Sequence, residues 1–118
     1  MDIEVYRNYC LGKRGVTESF PFNEEVLVFK VMNKMFASSN INKRPFSVNL
    51  KCNPEKALQY RELYEGVQPG YHMNKKHWNT INFESNLSEK KLQYFINHSY
   101  ELVVSKLTKK EKEQLAQL

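Results

Sequence analysis

The sequence predicts an α+β domain in which antiparallel strands carry helices packed on one sheet face. Three observations predict it. Segments 46–52 and 77–83 alternate between apolar and polar residues, as half-buried strands do, and 26–32 is an apolar run that leads into a two-residue turn signal. Three other segments combine helical apolar spacing with a side chain suited to capping a helix start, and a fourth begins with a capping box. Finally, 118 residues with 41% hydrophobic content suffice for one core, so a second domain is not expected.

The elements follow in order. Asp2 can cap a first helix, because its carboxylate accepts from the free N–H groups of the first turn; Ile3, Tyr6 and Cys10 form its apolar stripe and Gly12 ends it. Residues 13–15 read as a solvated loop. In TESFPF, residues 17–22, Phe20 and Phe22 flank Pro21, and proline cannot donate to a ladder, so this is an edge strand or a lead-in to the sheet. Strands at 26–32 and 35–38 flank a two-residue turn at Asn33 and Lys34, since asparagine tolerates the left-handed backbone of such a turn. Leu27, Phe29, Val31 and Phe36 then share one face, and Lys30 lies on the other.

SSNINKRP reads as a polar loop. FSVNLKC places Phe46, Val48, Leu50 and Cys52 inward and Ser47, Asn49 and Lys51 outward, the pattern of a sheet with one wet face. Asn53, Pro54 and Glu55 form a helix start: a side-chain cap, a proline whose missing donor costs nothing in the first turn, and an acid at the positive helix end. That helix carries Ala57, Tyr60, Leu63 and Tyr64 and stops at Gly66. HWNTINF is a strand with Asn79, Ile81 and Phe83 opposite Trp78 and Thr80. Ser88 caps the main core helix, with Leu87 and Leu92 placed as a hydrophobic staple and Phe95, Ile96, Ser99, Val103 and Leu107 continuing the stripe. Thr108 and Glu111 form a capping box for a short last helix, whose polar KKEKEQ predicts fraying.

Net charge is +5 and the isoelectric point about 9.2, a balance that favours anionic partners. Lys30, Lys34, Lys43, Arg44 and Lys51 occupy a stretch without Asp or Glu, and so do Lys75 and Lys76. The start of the chain has no signal-peptide character and no segment has the length of a membrane span, so a cytoplasmic location without membrane contact is expected. Cys10 and Cys52 lack a CxxC partner and sit on apolar faces, which predicts buried thiols without a disulfide.

The stretch PGYHMNKKHWNT, residues 69–80, concentrates the reactive-looking side chains. His72 and His77 are five apart, not the i, i+4 pair of a helical zinc site, and no acid or cysteine accompanies them; His98 adds no ligand pattern, so no metal is expected. No GxSxG motif and no P-loop or GxGxxG occurs, which excludes the motif-bearing hydrolases and nucleotide cofactors. Cys52 precedes a helix start, where a thiol can be acidified, but its place in the inward set predicts an inert core residue. No catalytic residue or cofactor is implied. Nucleic-acid binding has a physical basis: Lys30, Lys34, Lys51, Lys75 and Lys76 can pair with phosphates, His77, Trp78 and Tyr71 can stack on bases, and Asn79 can read a base edge. The competing reading is that these lysines only solvate an exposed sheet face and protect its edges.

PGYHMNKKHWNT, together with FPF, VFKVMNKMFA, VNLKCNP and HSYELVVSKL, resembles the MmcQ/YjbR-like family of small bacterial proteins over nearly the whole chain. The resemblance implies a two-layer α+β sandwich with an antiparallel sheet, described as CyaY-like or secretion-chaperone-like. The recurrent family positions fall on Phe20, Pro21, Lys30, Lys34, Phe36, Lys51, Cys52, Pro69, Gly70, Tyr71, His72, Met73, Asn74, Lys75, Lys76, His77, Trp78, Asn79, Ser99 and Tyr100, with Met32 in place of a usual glycine before the first hairpin turn. Likeness to double-wing domains implies a non-enzymatic DNA-binding module. Two alternatives stand beside it: a protein or peptide adaptor using the sheet face or an edge, with Trp78 and Tyr71 as anchors, and a small-anion pocket roofed by Tyr71, His72, Lys76 and Trp78.

Overall fold

The computed structural model describes residues 1–118. Six strands form one antiparallel sheet in the order β1-β2-β3-β4-β6-β5: β1 (Val16–Ser19), β2 (Val26–Val31), β3 (Lys34–Asn40), β4 (Ser47–Lys51), β5 (Val67–Pro69) and β6 (Trp78–Asn82). Helices α1 (Ile3–Leu11), α2 (Pro54–Leu63), α3 (Glu89–Ser105) and α4 (Lys109–Ala116) complete the chain. The α+β architecture is as expected: α3 lies on β2, β3 and β4, while α2 lies on β5 and β6. Asp2, Asn53, Ser88 and Thr108 all cap their helices, and Thr108 and Glu111 close the capping box.

Nineteen buried residues form the core between the layers. At its centre the Tyr6 ring meets Phe29, Phe46 and Phe83 nearly edge-on, with centroids 5.3–5.5 Å apart. Each such pair contributes about 0.5–1.5 kcal/mol beyond area burial, so Tyr6 is what fastens α1 to the sheet. Ile3, expected in the same stripe, is 38% exposed. Leu63 is likewise exposed at the last position of α2, leaving Ala57 as that helix's buried residue with Tyr60 and Tyr64 packed against the core.

Several boundaries differ from expectation for identifiable reasons. The β2–β3 turn is Met32–Asn33, both at positive φ (47° and 67°), and Lys34 already belongs to β3 opposite Val31. A tight hairpin turn needs two such residues, and the second is the asparagine. Strand β3 runs on to Asn40, so Ser38 and Ser39 are buried strand residues and not loop. Strand β1 ends at Ser19, which leaves Phe20, Pro21 and Phe22 in an exposed loop. Strand β5 was not foreseen, since three residues carry no periodicity; Pro69 sits on it because the edge needs no donor there. The last helix is docked rather than frayed: Leu115 is buried, and Gly15, at φ +72°, lets the chain pass where a Cβ would lie 2.5 Å from the Leu115 side chain.

A β-bulge shapes the middle of the sheet. Phe29 pairs with Ala37 but Lys30 pairs with Met35, so Phe36 is the extra residue, and Phe36 and Ala37 are both fully buried. Beyond Ala37↔Leu50 the β3–β4 ladder stops. There the fully buried Ser99 of α3 enters between the strands: its hydroxyl accepts from the Lys51 N–H (2.8 Å) and donates to the Phe36 carbonyl (2.5 Å). One helix side chain thus stands in for a missing ladder bond and holds the two strand ends apart.

Candidate functional site

The segment 70–77 folds over the sheet by short-range hydrogen bonds. Asn74 Oδ1 accepts from the N–H groups of Lys76 (2.9 Å) and His77 (3.2 Å), and the Lys75 ammonium donates to the Gly70 carbonyl (2.9 Å). Gly70 is required by close approach, since a Cβ there would lie 2.9 Å from Trp78 Cβ and carbonyl oxygen. The next residues are redirected by His72, at φ +56°, and by Tyr71 N–H, which donates to Thr80 Oγ1 (2.8 Å). On the α2 side, Arg61 Nε donates to Asn79 Oδ1 (2.7 Å), and the same guanidinium donates to the carbonyls of Lys75 and Trp78.

This arrangement corrects the expected base-reading set. Asn79 is 2% exposed and spends its amide on Arg61 and on the Ala57 carbonyl (3.3 Å), so it fastens β6 to α2 and cannot reach a ligand. Trp78 is half-buried beside Lys51 in the cross-strand register. His77 is exposed and its carbonyl accepts from Cys52 N–H (2.8 Å), while Lys76 stands over a shallow depression with Glu55, Leu58 and Arg61.

The helix-free face, the wet face expected from β4, is walled by loops into a groove. Its volume is about 620 Å³. Its floor is the outward residues of β3, β4 and β6: Asn49 Nδ2 donates to Ser38 Oγ (3.2 Å), and Thr80 Oγ1 donates to Asn49 Oδ1 (2.5 Å). Three loops form its walls. The first presents Phe22 and is closed by Asn23 Oδ1, which accepts from Glu25 and Val26 N–H; the second carries Lys43 and Arg44; the third carries Tyr71, His72 and Met73. Arg44 is held by Glu84, whose carboxylate also accepts from Phe46 N–H; these contacts draw the Glu84 pKa down to about 2. Lys43 has no acidic partner and lies 5.3 Å from the Tyr71 ring centre. No Asp or Glu lines the groove.

A second depression, of about 290 Å³, opens at the end of the sheet where Ser99 parts β3 from β4. Lys34, Lys51 and Lys106 line it with no acidic residue between them. Met35 borders both this depression and the groove. The molecule's two ion pairs, Arg7–Glu18 and Arg44–Glu84, involve none of these lysines. Lys30 lies in the same outward register, opposite Thr17 and Met35. The basic residues therefore divide: Lys30, Lys43 and Lys51 point to the helix-free side, Lys34, opposite the core residue Val31, joins Lys106 on the helix side of the sheet end, and Lys75 and Lys76 sit beside α2.

Of the roof proposed for a small-anion pocket, Tyr71 and His72 border the groove and Lys76 and Trp78 do not. Phe20 and Pro21 are exposed in the loop before Phe22. Tyr100 works elsewhere, donating its hydroxyl to the Arg14 carbonyl (2.7 Å). Sequence reasoning missed Phe22, Ser38, Asn40 and Lys43 as groove residues and Lys106 as part of the lysine cluster. For Ser38 and Asn40 the available signal was the outward alternation of β3, hidden by reading SSN as loop.

Reactive chemistry is not concentrated in any of these places. Both cysteines are free, and burial pushes the Cys10 thiol up to about 12 and the Cys52 thiol up to about 11, far from thiolate formation at neutral pH. His98 Nε2 accepts from Asn53 N–H (3.2 Å), and burial lowers its pKa, which keeps the ring neutral and tied to the start of α2. No three His, Cys, Asp or Glu side chains converge as a metal set, and no helix is long and apolar enough to cross a membrane.

Comparison with known proteins gives a consistent relationship. Residues 11–102 match the model of the YjbR family. The chain is 41% identical over 113 residues to the uncharacterized protein YbdF of Escherichia coli O157:H7, covering 95% of this chain and 92% of that one. It is 31% identical over 119 residues to the uncharacterized protein YjbR of Escherichia coli K12, covering all of both. Among solved structures, a Deinococcus radiodurans protein with a DUF419 domain superposes with a TM-score of 0.90 at 35% identity, over 97% of this chain and 87% of its own. A Pseudomonas syringae protein superposes with a TM-score of 0.76 at 27% identity, over 86% and 98%.

Proposed function

The chain belongs to the YjbR family, and we propose that it is a non-catalytic nucleic-acid-binding module that contacts phosphates with Lys34, Lys51 and Lys106. Lys30 and Lys43 extend this contact along the helix-free face. One observation carries the reading: three lysines line one depression with no carboxylate among them. Like charges gathered in this way repel unless an anion lies between them, and a polyphosphate backbone supplies such anions at repeated intervals. The carboxylate most affected by Lys34, Glu111, is already engaged with Thr108 N–H (2.9 Å) in the cap of α4. The two raised thiol pKa values and the neutral, hydrogen-bonded His98 support binding over catalysis.

The test is fluorescence anisotropy with labelled single-stranded and duplex oligonucleotides across a salt series. Each phosphate contact should contribute about 0.7 (single strand) to 0.9 (duplex) to the slope of log K against log salt. Replacing Lys34, Lys51 and Lys106 by glutamine should therefore reduce that slope by about two to three. Undetectable binding to both probes at low salt, or an unchanged slope in the triple variant, would refute the proposal.

A further inference from the structure

We infer that the groove on the helix-free face seats an unpaired base, so that the strand bound is single rather than duplex. The inference rests on the nucleic-acid reading above and names the form of nucleic acid that fits. A duplex keeps the flat faces of its bases stacked inside and offers only their edges, whereas an unpaired base offers a face to an aromatic side chain. The groove supplies such side chains on two walls: Phe22 is 70% exposed and Tyr71 is 59% exposed. Apolar rings held open to water on facing loops gain from being covered.

The floor has the polarity to hold a base edge. Asn49 spends its carbonyl on Thr80 and one amide N–H on Ser38, which leaves its second N–H and the Ser38 hydroxyl proton as unspent donors. Carbonyl oxygens and ring nitrogens of a base are acceptors and match them. The Lys43 ammonium lies over the Tyr71 ring, 5.3 Å from its centre, so a base stacking on that face takes its place and the displaced cation meets the phosphate of the seated nucleotide. Charge agrees, because no acidic residue lines the groove. So does continuity: Met35 borders both the groove and the lysine depression, so a backbone lying on Lys34 and Lys51 can direct a base past Met35 into the groove. The volume of about 620 Å³ lies within the ~300–1,000 Å³ range of pockets that enclose small organic ligands.

The experiment compares a labelled oligothymidylate with a duplex of the same length, using the full chain and its Phe22→Ala, Tyr71→Ala and Lys43→Gln variants. Single strand should bind at least about tenfold more tightly than duplex, and each alanine variant should lose about five- to hundredfold of single-strand affinity with duplex binding unchanged. Lys43→Gln should reduce the single-strand salt slope by about 0.7. Both aromatic side chains are largely exposed, so the variants should melt as the parent does. Equal affinity for the two probes, parental single-strand affinity in both alanine variants, or displacement of the strand by free thymidine monophosphate at equal nucleotide concentration would each overturn the inference. Single-strand binding that depends on the lysine cluster but ignores Phe22 and Tyr71 would refute this inference alone. Binding to neither probe would refute both.

Discussion

Replacing Ser99 by alanine should damage the sheet at the point where the lysine depression is built. The hydroxyl is fully buried and serves two backbone groups, the Lys51 N–H at 2.8 Å and the Phe36 carbonyl at 2.5 Å. Alanine leaves both without a partner and out of reach of water. A buried polar group orphaned in this way costs about 1–3 kcal/mol, and partial closure of the strands recovers some of it, so the expected loss is about 2–4 kcal/mol. Against the ~5–15 kcal/mol stability of a typical domain this is a large fraction. The assay is urea denaturation, read as a lower midpoint with unchanged slope, with Tm falling by roughly 10 °C. Amide exchange adds a local reading, because the Lys51 N–H should lose protection first. A loss below about 0.5 kcal/mol with Lys51 exchange unchanged would refute the reasoning, since β3 and β4 would then have closed to bond directly and the hydroxyl would not be holding them apart.

Other substitutions probe the remaining supports. Arg61→Lys cannot reproduce the forked contacts to Asn79, Lys75 and Trp78, and should cost about 1–2 kcal/mol in denaturation while exposing residues 70–77 to faster proteolysis; parental values in both assays would refute the bracing role. The Tyr6 hydroxyl is buried without a hydrogen-bond partner, so Tyr6→Phe should lie between neutral and about 1 kcal/mol stabilising, and a loss above about 2 kcal/mol would show that the hydroxyl is satisfied. Glu84 holds its pKa near 2 against an ordinary value of 4.5, so its stabilising effect is complete above that ordinary value and disappears as pH falls through about 2. Glu84→Gln should be less stable than the parent at neutral pH and should show a shallower loss in an acid titration over that window.

Much of the fold was legible because the signals are local. Asp2, Asn53, Ser88 and Thr108 cap helices through N–H groups two or three residues away. The alternation of 46–52 and 78–83 survived intact, with Phe46, Val48, Leu50, Cys52, Ile81 and Phe83 all buried. At the first hairpin Asn33 supplies the left-handed backbone that its residue type suggests, but as the second turn residue after Met32 and not the first. The candidate site was less legible. Lys34 and Lys51 were singled out as phosphate contacts, and Tyr71 and His72 as pocket residues, but their neighbours in space were not.

The α+β class, the helix starts, the inward faces of the strands and the absence of acids around the central lysines are all readable along the chain, since each depends on residues adjacent in it. Tertiary structure alone decided that Asn79 is sealed beneath Arg61, eighteen residues before it. It alone decided that Lys106 joins Lys34 and Lys51, and that loops carrying Phe22, Lys43 and Tyr71 rise around one groove. The reason is physical: hydrogen bonds and walls between distant segments are selected by how the sheet is ordered and where Ser99 parts it, and neither has a period that a linear sequence displays.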